Sequence, residues 1–487
     1  MHYPLAHLKP MKAPPLFLLI TTAAVLATHA ATSWPAFRGP NCSGVSLDAS
    51  PPVNIGPTNL VLWKIQVPFS PSSPCVRGDQ LFLTTYADNE LQTRCYQRAN
   101  GKIAWSRGLK PDKLEMYHST ESSPAASTPA IASDRVVSYF GSFGLVCYDL
   151  QGKELWRHAL PIALSLGSYG TGTSPLIAGN LVLVSHDREE ESSLLALDLR
   201  TGEKVWETAR PDSNGGFGTP ILWKNADVDE VVVPGSLRLK GYSLKTGKED
   251  WMVEGISAYP CTTPIAGDDL LYFAAWTDGK ADDPWPSWEQ FLDKHDKNKD
   301  GVISLDEFSD ASRDFYRGLD LNRDGKVDKE DYNKLLSSLA KGENLLIAVK
   351  PGGHGDISKT HVAWKSTRGL PYIASPLIYE GRVYCIKNGG MISSFDARTG
   401  KPYYLQERLD AEGYYYSSPV AAAGKLYTAS ANGILTVVKT GGDKPEILHQ
   451  ANFGERIFAS PALADDKLYL RTQSALYAFD NHANPKP

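Results

Sequence analysis

Two acidic stretches near residue 300 place oxygen-bearing side chains at alternate positions of a twelve-residue loop. The loops begin at Asp296 and Asp320. Calcium is a hard cation that takes six to eight oxygen ligands, and a loop that wraps it needs Gly at its sixth position for the sharp turn. Gly301 and Gly325 hold that position. We predict two calcium sites, with these ligands: Asp296, Asn298, Asp300, Val302 (backbone carbonyl), Ser304 and Glu307 in the first loop, and Asp320, Asn322, Asp324, Lys326 (backbone carbonyl), Asp328 and Asp331 in the second.

The two loops fit the EF-hand template but differ at their last ligand. Glu307 is long enough to offer both carboxylate oxygens, whereas Asp331 is one methylene shorter. We therefore expect the second loop to bind calcium more weakly or to tolerate magnesium better, the alternative being a decayed loop held only by hydrogen bonds. The apolar eighth positions, Ile303 and Val327, are predicted to pair in a short β-bridge.

A strand–turn–strand motif recurs along the rest of the chain. Its clearest copy runs from Ala196 to Trp206, where Thr-Gly supplies a tight turn and Trp ends the second strand. We predict that the Trp residues are structural and pack between neighbouring repeats. A second marker is a Ser-Pro or Thr-Pro step before an apolar strand. It occurs at Pro74, Pro129, Pro175, Pro220, Pro264, Pro376, Pro419 and Pro461.

The eight markers predict an all-β fold, an eight-bladed β-propeller of four-stranded blades. The wide gap between Pro264 and Pro376 holds one blade plus an insert, residues 280–342. We interpret this insert as a small α-helical EF-hand pair inserted in one blade. The propeller then comprises 31–279 and 343–487. The strand at 60–67 is predicted to complete the last blade, which would remove the open edges of the sheet array.

The Ala-x-Asp-x-x-Thr-Gly-x-x-x-Trp pattern resembles the pyrroloquinoline-quinone-like repeat family over about residues 55–275 and 343–480. That family includes quinoprotein alcohol dehydrogenases and the propeller lipoprotein of the outer-membrane β-barrel assembly machinery. The opening Trp34-Pro-Ala-Phe-Arg-Gly-Pro40 resembles an N-terminal signature of exported bacterial members. The resemblance implies a quinone dehydrogenase as one alternative. The chain has no adjacent cysteine pair and no position that matches the dehydrogenases' catalytic Asp, so we assign no catalytic residue and do not expect the quinone.

Aromatic residues recur in the crossings that lead into each inner strand. We predict that they ring the channel mouth on the face that carries the insert, as a stacking site for an aromatic or sugar ligand or a peptide. The alternative is that they only pack the narrow end of the converging strands. The candidate ring is Tyr169, Phe217, Tyr259, Tyr372, Tyr415 and Phe458, with Tyr416 beside Tyr415 in the same crossing and His118 in an equivalent place.

Composition limits the function classes. Lys plus Arg is 50 and Asp plus Glu is 55, and the net charge of −5 argues against nucleic acid as a partner. Residues 282–341 hold 15 acidic and 10 basic residues, so the insert carries that whole charge. The six cysteines are too sparse for a disulfide framework. His186-Asp187-Arg188, before three glutamates, is predicted to form a solvated turn.

The start of the chain predicts export. The apolar run 16–27 follows Lys12, ends in small residues and is too short to span a bilayer, so residues 1–30 are interpreted as a signal peptide. We expect a periplasmic or extracellular protein, soluble after cleavage and without a transmembrane segment in the mature chain. The predicted function is that of an exported calcium-binding protein, a binding or scaffolding module of the cell envelope whose face binds a protein or carbohydrate. The alternative is a pyrroloquinoline-quinone-dependent dehydrogenase.

Overall fold

A computed structural model describes residues 33–163, 169–188, 191–225, 227–267, 269–278, 284–309, 318–322 and 324–483. The predicted signal peptide lies outside these residues. Within them the chain forms eight antiparallel sheets of four main strands, which confirms the predicted eight-bladed propeller. No helix in the described part is long and apolar enough to cross a membrane.

Each blade runs from a short inner strand to an exposed outer strand. The strands of blades 1–4 are Cys75–Arg77, Gln80–Ala87, Glu90–Gln97, Ile103–Leu109; Ala130–Ala132, Arg135–Phe140, Gly144–Asp149, Glu154–Ala159; Leu176–Ala178, Leu181–His186, Ser193–Asp198, Lys204–Ala209; Ile221–Asn225, Val228–Gly235, Arg238–Ser243, Glu249–Glu254. Those of blades 5–8 are Ile265–Gly267, Leu270–Ala275, Leu345–Val349, Val362–Ser366; Leu377–Tyr379, Arg382–Lys387, Met391–Asp396, Pro402–Arg408; Val420–Ala422, Lys425–Ala429, Ile434–Lys439, Glu446–Asn452; Ala462–Ala464, Lys467–Arg471, Ala475–Asp480, Val61–Gln66.

The Ser-Pro and Thr-Pro markers build a closed hydrogen-bonded ring around the central channel. In each blade the hydroxyl before the proline accepts the backbone N–H of the equivalent residue in the preceding blade, as Ser375 does from Thr263 at 2.9 Å. Eight such bonds close the circle, because Ser73 accepts from Ser460 at 3.0 Å. The ring members in order are Ser73, Thr128, Ser174, Thr219, Thr263, Ser375, Ser418 and Ser460. The proline that follows has no N–H to satisfy at the start of the inner strand.

The repeated Trp residues join neighbouring blades, as the sequence predicts. The Trp156 indole N–H donates to the Leu199 carbonyl of the next blade at 2.9 Å, and its ring covers the turn at Gly202. A Cβ added at Gly202 would lie 2.6 Å from that ring, and φ there is +74°. The Thr-Gly turn is therefore needed for close approach as well as for the backbone angle.

The chain ends meet in blade 8, where Val61–Gln66 pairs antiparallel with Ala475–Asp480. The preceding segment crosses the inner strands and contacts blades on opposite sides of the propeller. Ser33–Trp34 pairs with blade 1, the amide of Asn41 bonds Leu222 in blade 4, and the Arg38 guanidinium donates to the Pro376 carbonyl at 2.7 Å. The Trp34–Pro40 signature thus closes one end of the channel.

The insert leaves blade 5 between its second and third strands. It contains helix α1 (Trp288–His295) and helix α2 (Lys329–Leu339). Between the two loops, Ile303–Ser304 pairs with Lys326–Val327, which confirms the predicted β-bridge. The apolar sides of these elements form a core of their own. Its buried members are Trp288, Phe291, Ile303, Phe308, Leu319, Val327, Tyr332, Leu335 and Leu339.

The prediction of a solvated turn at 186–188 is wrong. The Asp187 side chain is fully buried and receives two bonds, 2.8 and 2.9 Å, from the buried Arg210 guanidinium and one of 2.9 Å from the Ser213 hydroxyl. A complete set of donors allows a carboxylate to be buried, and none of these partners is near Asp187 in sequence. No disulfide links the six cysteines, all of which are described.

Candidate functional site

The first EF-hand loop is preorganised by its own carboxylates. Asp296 accepts the backbone N–H groups of Lys299 and Gly301 at 2.7 and 3.0 Å, and Gly301 has the predicted left-handed turn, with φ +86°. Glu307 spans the loop, because one oxygen accepts the Lys297 N–H at 2.7 Å and the other accepts the Ser304 N–H at 2.8 Å.

The pKa of Glu307 is the outcome of two opposing effects. Burial raises it, but backbone hydrogen bonds from Ser304, Asn298 and Lys297 outweigh burial and hold the pKa below its ordinary value. The carboxylate is therefore ionised and positioned as the last ligand of an EF-hand loop requires.

The second loop repeats the first except at its last position. Asp320 accepts the N–H groups of Asp324 and Gly325 at 3.1 and 2.9 Å, and Asp328 caps helix α2. Among the described residues Asp331 accepts only the Asp328 N–H, at 3.5 Å, so the shorter side chain does not span the loop. Burial, together with the charges of Asp328, Asp320 and Asp324, raises the pKa of Asp331. Asp331 thus differs from Glu307 in two ways: its side chain does not span the loop, and its pKa is raised where that of Glu307 is lowered.

The predicted ligands of each loop therefore lie together, in the arrangement of an EF-hand. They do not form a compact cluster of carboxylates. No three His, Cys, Asp or Glu side chains converge as a metal group anywhere in the described ranges. Amide, hydroxyl or backbone carbonyl oxygens make up three of the six predicted ligands in the first loop and two of the six in the second, so an EF-hand site does not require such a cluster.

A cavity of about 730 Å³ lies between the propeller mouth and the insert. On the propeller side, its floor includes Phe37 of the N-terminal segment and most of the Ser/Thr ring. The insert supplies apolar side chains to the lining, namely Trp285, Leu319, Leu335 and Leu339. The Tyr259 hydroxyl, from the crossing into blade 5, lies 2.8 Å from the Ser338 hydroxyl of helix α2. The EF-hand pair is thus one wall of this cavity, which we call the mouth cavity.

The structure brings five of the six candidate ring residues to the mouth cavity. They are Tyr169, Phe217, Tyr259, Tyr372 and Phe458. Tyr415 requires a correction, because its ring is 1 % exposed within the packing of blades 6 and 7 and its hydroxyl donates to the Ala411 carbonyl at 2.7 Å. Tyr414 and Tyr416 line the cavity instead. The Tyr414 and Tyr416 rings lie on the same side, 6.2 Å apart between centroids, whereas Tyr415 between them packs into the core.

Sequence reasoning missed the acidic members of the lining, Glu121 and Asp278. Asp278 accepts the Trp276 indole N–H at 3.1 Å. Burial raises the pKa of the Tyr169 hydroxyl, and the negative charges of Glu121 and Asp278 add to the rise. Glu121 lies in a crossing of the kind that carries the aromatic residues, so its position in the repeat could have indicated that it lines the cavity.

A buried carboxyl group next to the cavity was also missed. Glu115 accepts the Thr171 hydroxyl at 2.6 Å, and Thr171 lines the mouth cavity. Burial raises the pKa of Glu115 to about 8, although the bond from Thr171 opposes the rise. Nearby, the buried His186 ring bonds the Tyr139 hydroxyl at 2.8 Å, and burial lowers the pKa of His186 to about 4.

A sequence profile described as outer membrane protein assembly factor BamB, of the PQQ-like type, matches residues 93–268 and 341–486, more than half of the chain. The chain belongs to this family. Within the BamB-like chain, an EF-hand profile matches residues 289–310 and 318–336, between the two propeller matches. No curated protein matches the sequence.

Solved structures agree on the propeller fold of the BamB-like chain. BamB from Moraxella catarrhalis is 14 % identical, with a TM-score of 0.53, covering 87 % of this chain and 98 % of its own. A europium-containing methanol dehydrogenase is 12 % identical, with a TM-score of 0.57 and coverages of 92 % and 98 %. The quinohemoprotein alcohol dehydrogenase from Comamonas testosteroni is 12 % identical, with a TM-score of 0.56 and coverages of 94 % and 82 %. At these identities the likeness shows the fold alone.

Proposed function

We propose that this protein is an exported calcium-binding propeller that holds a ligand in the mouth cavity, as a binding or scaffolding module of the cell envelope. One observation carries the proposal: the EF-hand pair forms a wall of the cavity. The volume, about 730 Å³, lies within the range of small-molecule sites, and the lining combines aromatic rings with few charges. Calcium that orders the two loops would therefore also order the wall against which a ligand packs.

Two features support calcium as the metal. The first loop presents oxygens from Asp296, Asn298, Asp300 and Glu307 around a left-handed Gly301. The loops are coupled through the Ile303–Val327 bridge, so binding at one loop favours the other. These side chains would hold calcium, which would offset much of the negative charge of the insert.

Export is supported by the predicted leader and by the family, whose description names an outer membrane assembly factor. A scaffolding role would bring the protein into contact with other envelope proteins. Recovery of the product from the periplasmic or extracellular fraction, shortened by the leader in an intact-mass measurement, would support export. An unprocessed product in the cytoplasm would contradict it.

Pyrroloquinoline quinone fits the mouth cavity less well. Pyrroloquinoline quinone carries three carboxyl groups, which need cationic partners when they leave water. The described residues that line the mouth cavity include Glu121 and Asp278 but no Lys or Arg. This lining supports binding over quinone-dependent oxidation.

Calcium and quinone titrations of the chelator-treated mature protein test the proposal. Calcium is expected to slow proteolysis within 280–342 and to change Trp fluorescence, because Trp285 and Trp288 belong to the insert. The variant D296N/D320N, which keeps side-chain size but removes one ligand charge from each loop, should lose both effects. Unchanged proteolysis in saturating calcium would overturn the calcium-ordered wall. Stoichiometric quinone binding, seen as a shift in quinone absorbance, would favour the dehydrogenase instead.

A further inference from the structure

We infer that the mouth cavity takes an organic cation, a ligand whose quaternary or protonated ammonium group is surrounded by aromatic rings. The inference rests on the proposed function, because it names the ligand class of the same cavity. Two independent features of the lining carry it: the arrangement of the rings and the sign of the charge.

The rings form a wall that continues around much of the cavity. On one side His118 stacks on Tyr169 at 4.2 Å between centroids, and Tyr169 meets Phe217 edge-on at 6.3 Å. On another side the ring centroids of Tyr416 and Phe458 lie 5.0 Å apart. An ammonium group is attracted to the negative faces of such rings when they lie within about 6 Å, and cages of several rings are the usual sites for quaternary ammonium ligands.

The charges of the lining favour the same ligand class. Glu121 and Asp278 both reach the cavity, and the described lining has no Lys or Arg to balance them. Arg456 is not among the described lining residues, but its guanidinium carbon lies 4.4 Å from the Phe458 ring centroid and it donates to the Thr120 carbonyl at 2.9 Å. One face of the Phe458 ring is therefore already occupied, and the other rings and the two carboxylates carry the inference. A site with two carboxylates and low-dielectric walls attracts cations and repels anions.

The tyrosine hydroxyls respond to this negative field. Burial raises the pKa of Tyr372 and of Tyr416, and a carboxylate adds to each rise, Asp278 for Tyr372 and Glu121 for Tyr416. Both carboxylates also act on Tyr169. The two acidic groups therefore serve one shared cavity, and a ligand cation would relieve the negative charge that they place there.

The Ser/Thr ring beneath the cage provides for the polar part of such a ligand. Each ring hydroxyl accepts a backbone N–H, as Ser418 does from Ser375 at 2.9 Å, and so keeps its own O–H available as a donor. Ser375, Ser418 and Ser460 all line the cavity. A hydroxyl or carbonyl oxygen of the ligand, close to its ammonium group, would accept hydrogen bonds from these hydroxyls.

The test compares choline with 3,3-dimethyl-1-butanol, its neutral isostere, and uses the full mature protein in saturating calcium. Binding is measured by calorimetry and by quenching of Trp and Tyr fluorescence. Choline is expected to bind at least about tenfold more tightly than the alcohol, since cation–π contacts in a desolvated cage and two carboxylates act only on the cation. Equal binding of the two, tighter binding of the alcohol or no binding of choline would overturn the inference.

Variants locate the site. E121Q and D278N each remove one charge with little change in size, and each is expected to weaken choline binding several-fold without affecting the alcohol. F217L removes one ring of the cage and should act in the same direction. E203Q changes an exposed carboxylate in an outer turn of blade 3 and should leave choline binding unchanged. An equal loss in E203Q and E121Q would mean that only net charge matters, which contradicts a defined cage. Melting temperatures of all variants exclude misfolding as the cause.

The proposed function and the ligand class fail in different ways. If calcium protects the insert and a neutral probe such as glucose or the alcohol binds while choline does not, the cavity still acts as a calcium-linked binding site and only the cation inference is wrong. If calcium leaves the insert unprotected while choline still binds with the predicted variant pattern, the cation inference stands and the calcium-ordered wall is wrong.

Discussion

At the scale of single residues, burial shifts the pKa of two groups near the mouth cavity, Glu115 and His186. Glu115 is the clearest case, because its carboxyl group is fully removed from water and has one hydroxyl partner, Thr171. Its pKa of about 8 keeps it protonated at neutral pH, so no negative charge is buried at that point. His186 is the opposite case, since burial keeps the ring neutral.

The titration of Glu115 predicts a pH dependence of stability. Below pH 4.5 the group is protonated in both the folded and the unfolded chain, so its contribution to stability is fully present. Between pH 4.5 and about 8 the unfolded chain releases the proton and the folded chain keeps it, so the free energy of unfolding falls by roughly 1.4 kcal/mol per unit of pKa difference, as an upper bound.

Replacement of Glu115 by Gln is therefore expected to flatten the loss of stability between pH 5 and 8. Chemical denaturation at a series of pH values measures this. His186 acts in a lower, overlapping window and with the opposite sign, because its lowered pKa makes stability fall as the pH drops from 6.5 to about 4. The Glu115 effect is therefore clearest between pH 6.5 and 8, where His186 no longer opposes it. H186Q should flatten only that acidic side. A pH profile that E115Q does not change would contradict the buried neutral carboxyl.

The last ligands of the calcium loops predict two unequal sites. Glu307 spans its loop and Asp331 does not, so D331E should tighten calcium binding at the second loop by about tenfold, because a second carboxylate oxygen becomes available. E307D is the matched change in the other direction and should weaken the first site. Calorimetric titration separates the two sites. Equal affinities in the native chain would show that the shorter side chain has no effect.

At the scale of elements, the propeller is held by two interactions that repeat in nearly every blade. One is the hydroxyl ring at the channel, and the other is the Trp that covers the turn of the next blade. Both satisfy buried backbone groups, which would otherwise cost free energy in the folded state.

The ring predicts a difference between two substitutions at one position. S375A removes the acceptor of the buried Thr263 N–H and should cost about 1–3 kcal/mol in free energy of unfolding. S375T keeps the hydroxyl, as Thr128, Thr219 and Thr263 do in their blades, and should cost much less. Urea denaturation measures both. Similar losses for the two variants would mean that the hydroxyl contributes nothing.

The Trp-covered turn predicts a difference between two glycines of similar φ. G202A places a Cβ 2.6 Å from the Trp156 ring, so we expect it to cost more than the roughly 1–2 kcal/mol of left-handed strain alone. Gly179 has φ +58° and open space around it, so G179A carries only the strain. The difference between the two unfolding free energies isolates the contact. If both cost the same, the Trp–turn contact is not tight.

At the scale of the whole molecule, the channel is closed by the N-terminal segment at one end and covered by the EF-hand pair at the other. The pair has its own core, against which Tyr259 of the propeller packs, and polar contacts between described residues also join it to blade 5. Asn344 bonds both backbone groups of Thr277 at 2.9 and 3.0 Å, where the insert leaves and returns, and Tyr259 meets Ser338. If the insert binds calcium as proposed, a separate core would allow it to respond while the propeller keeps its structure.

Loss of one of these contacts is expected to loosen the insert alone. Y259F removes the hydroxyl that meets Ser338, so proteolysis within 280–342 should become faster in saturating calcium while the melting temperature of the propeller changes little. Y427F removes a buried hydroxyl bonded to the Pro51 carbonyl in the propeller, so it should do the reverse. Equal proteolysis of Y259F and the native insert would contradict the role of this contact.

The fold class and the EF-hand loops could be predicted from the sequence alone. Both depend on short-range patterns: the Thr-Gly turn before Trp206 and the spacing of oxygens from Asp296 to Glu307 follow from local geometry. Three features could not be predicted from the sequence: the packing of Tyr415 between blades 6 and 7, the burial of Asp187 against Arg210 and the convergence of Glu121 with Asp278. Asp187 and Arg210 meet across one blade and Tyr415 packs between two neighbouring blades, whereas Glu121 and Asp278, more than 150 positions apart, meet because closure of the ring, not local sequence, sets their distance.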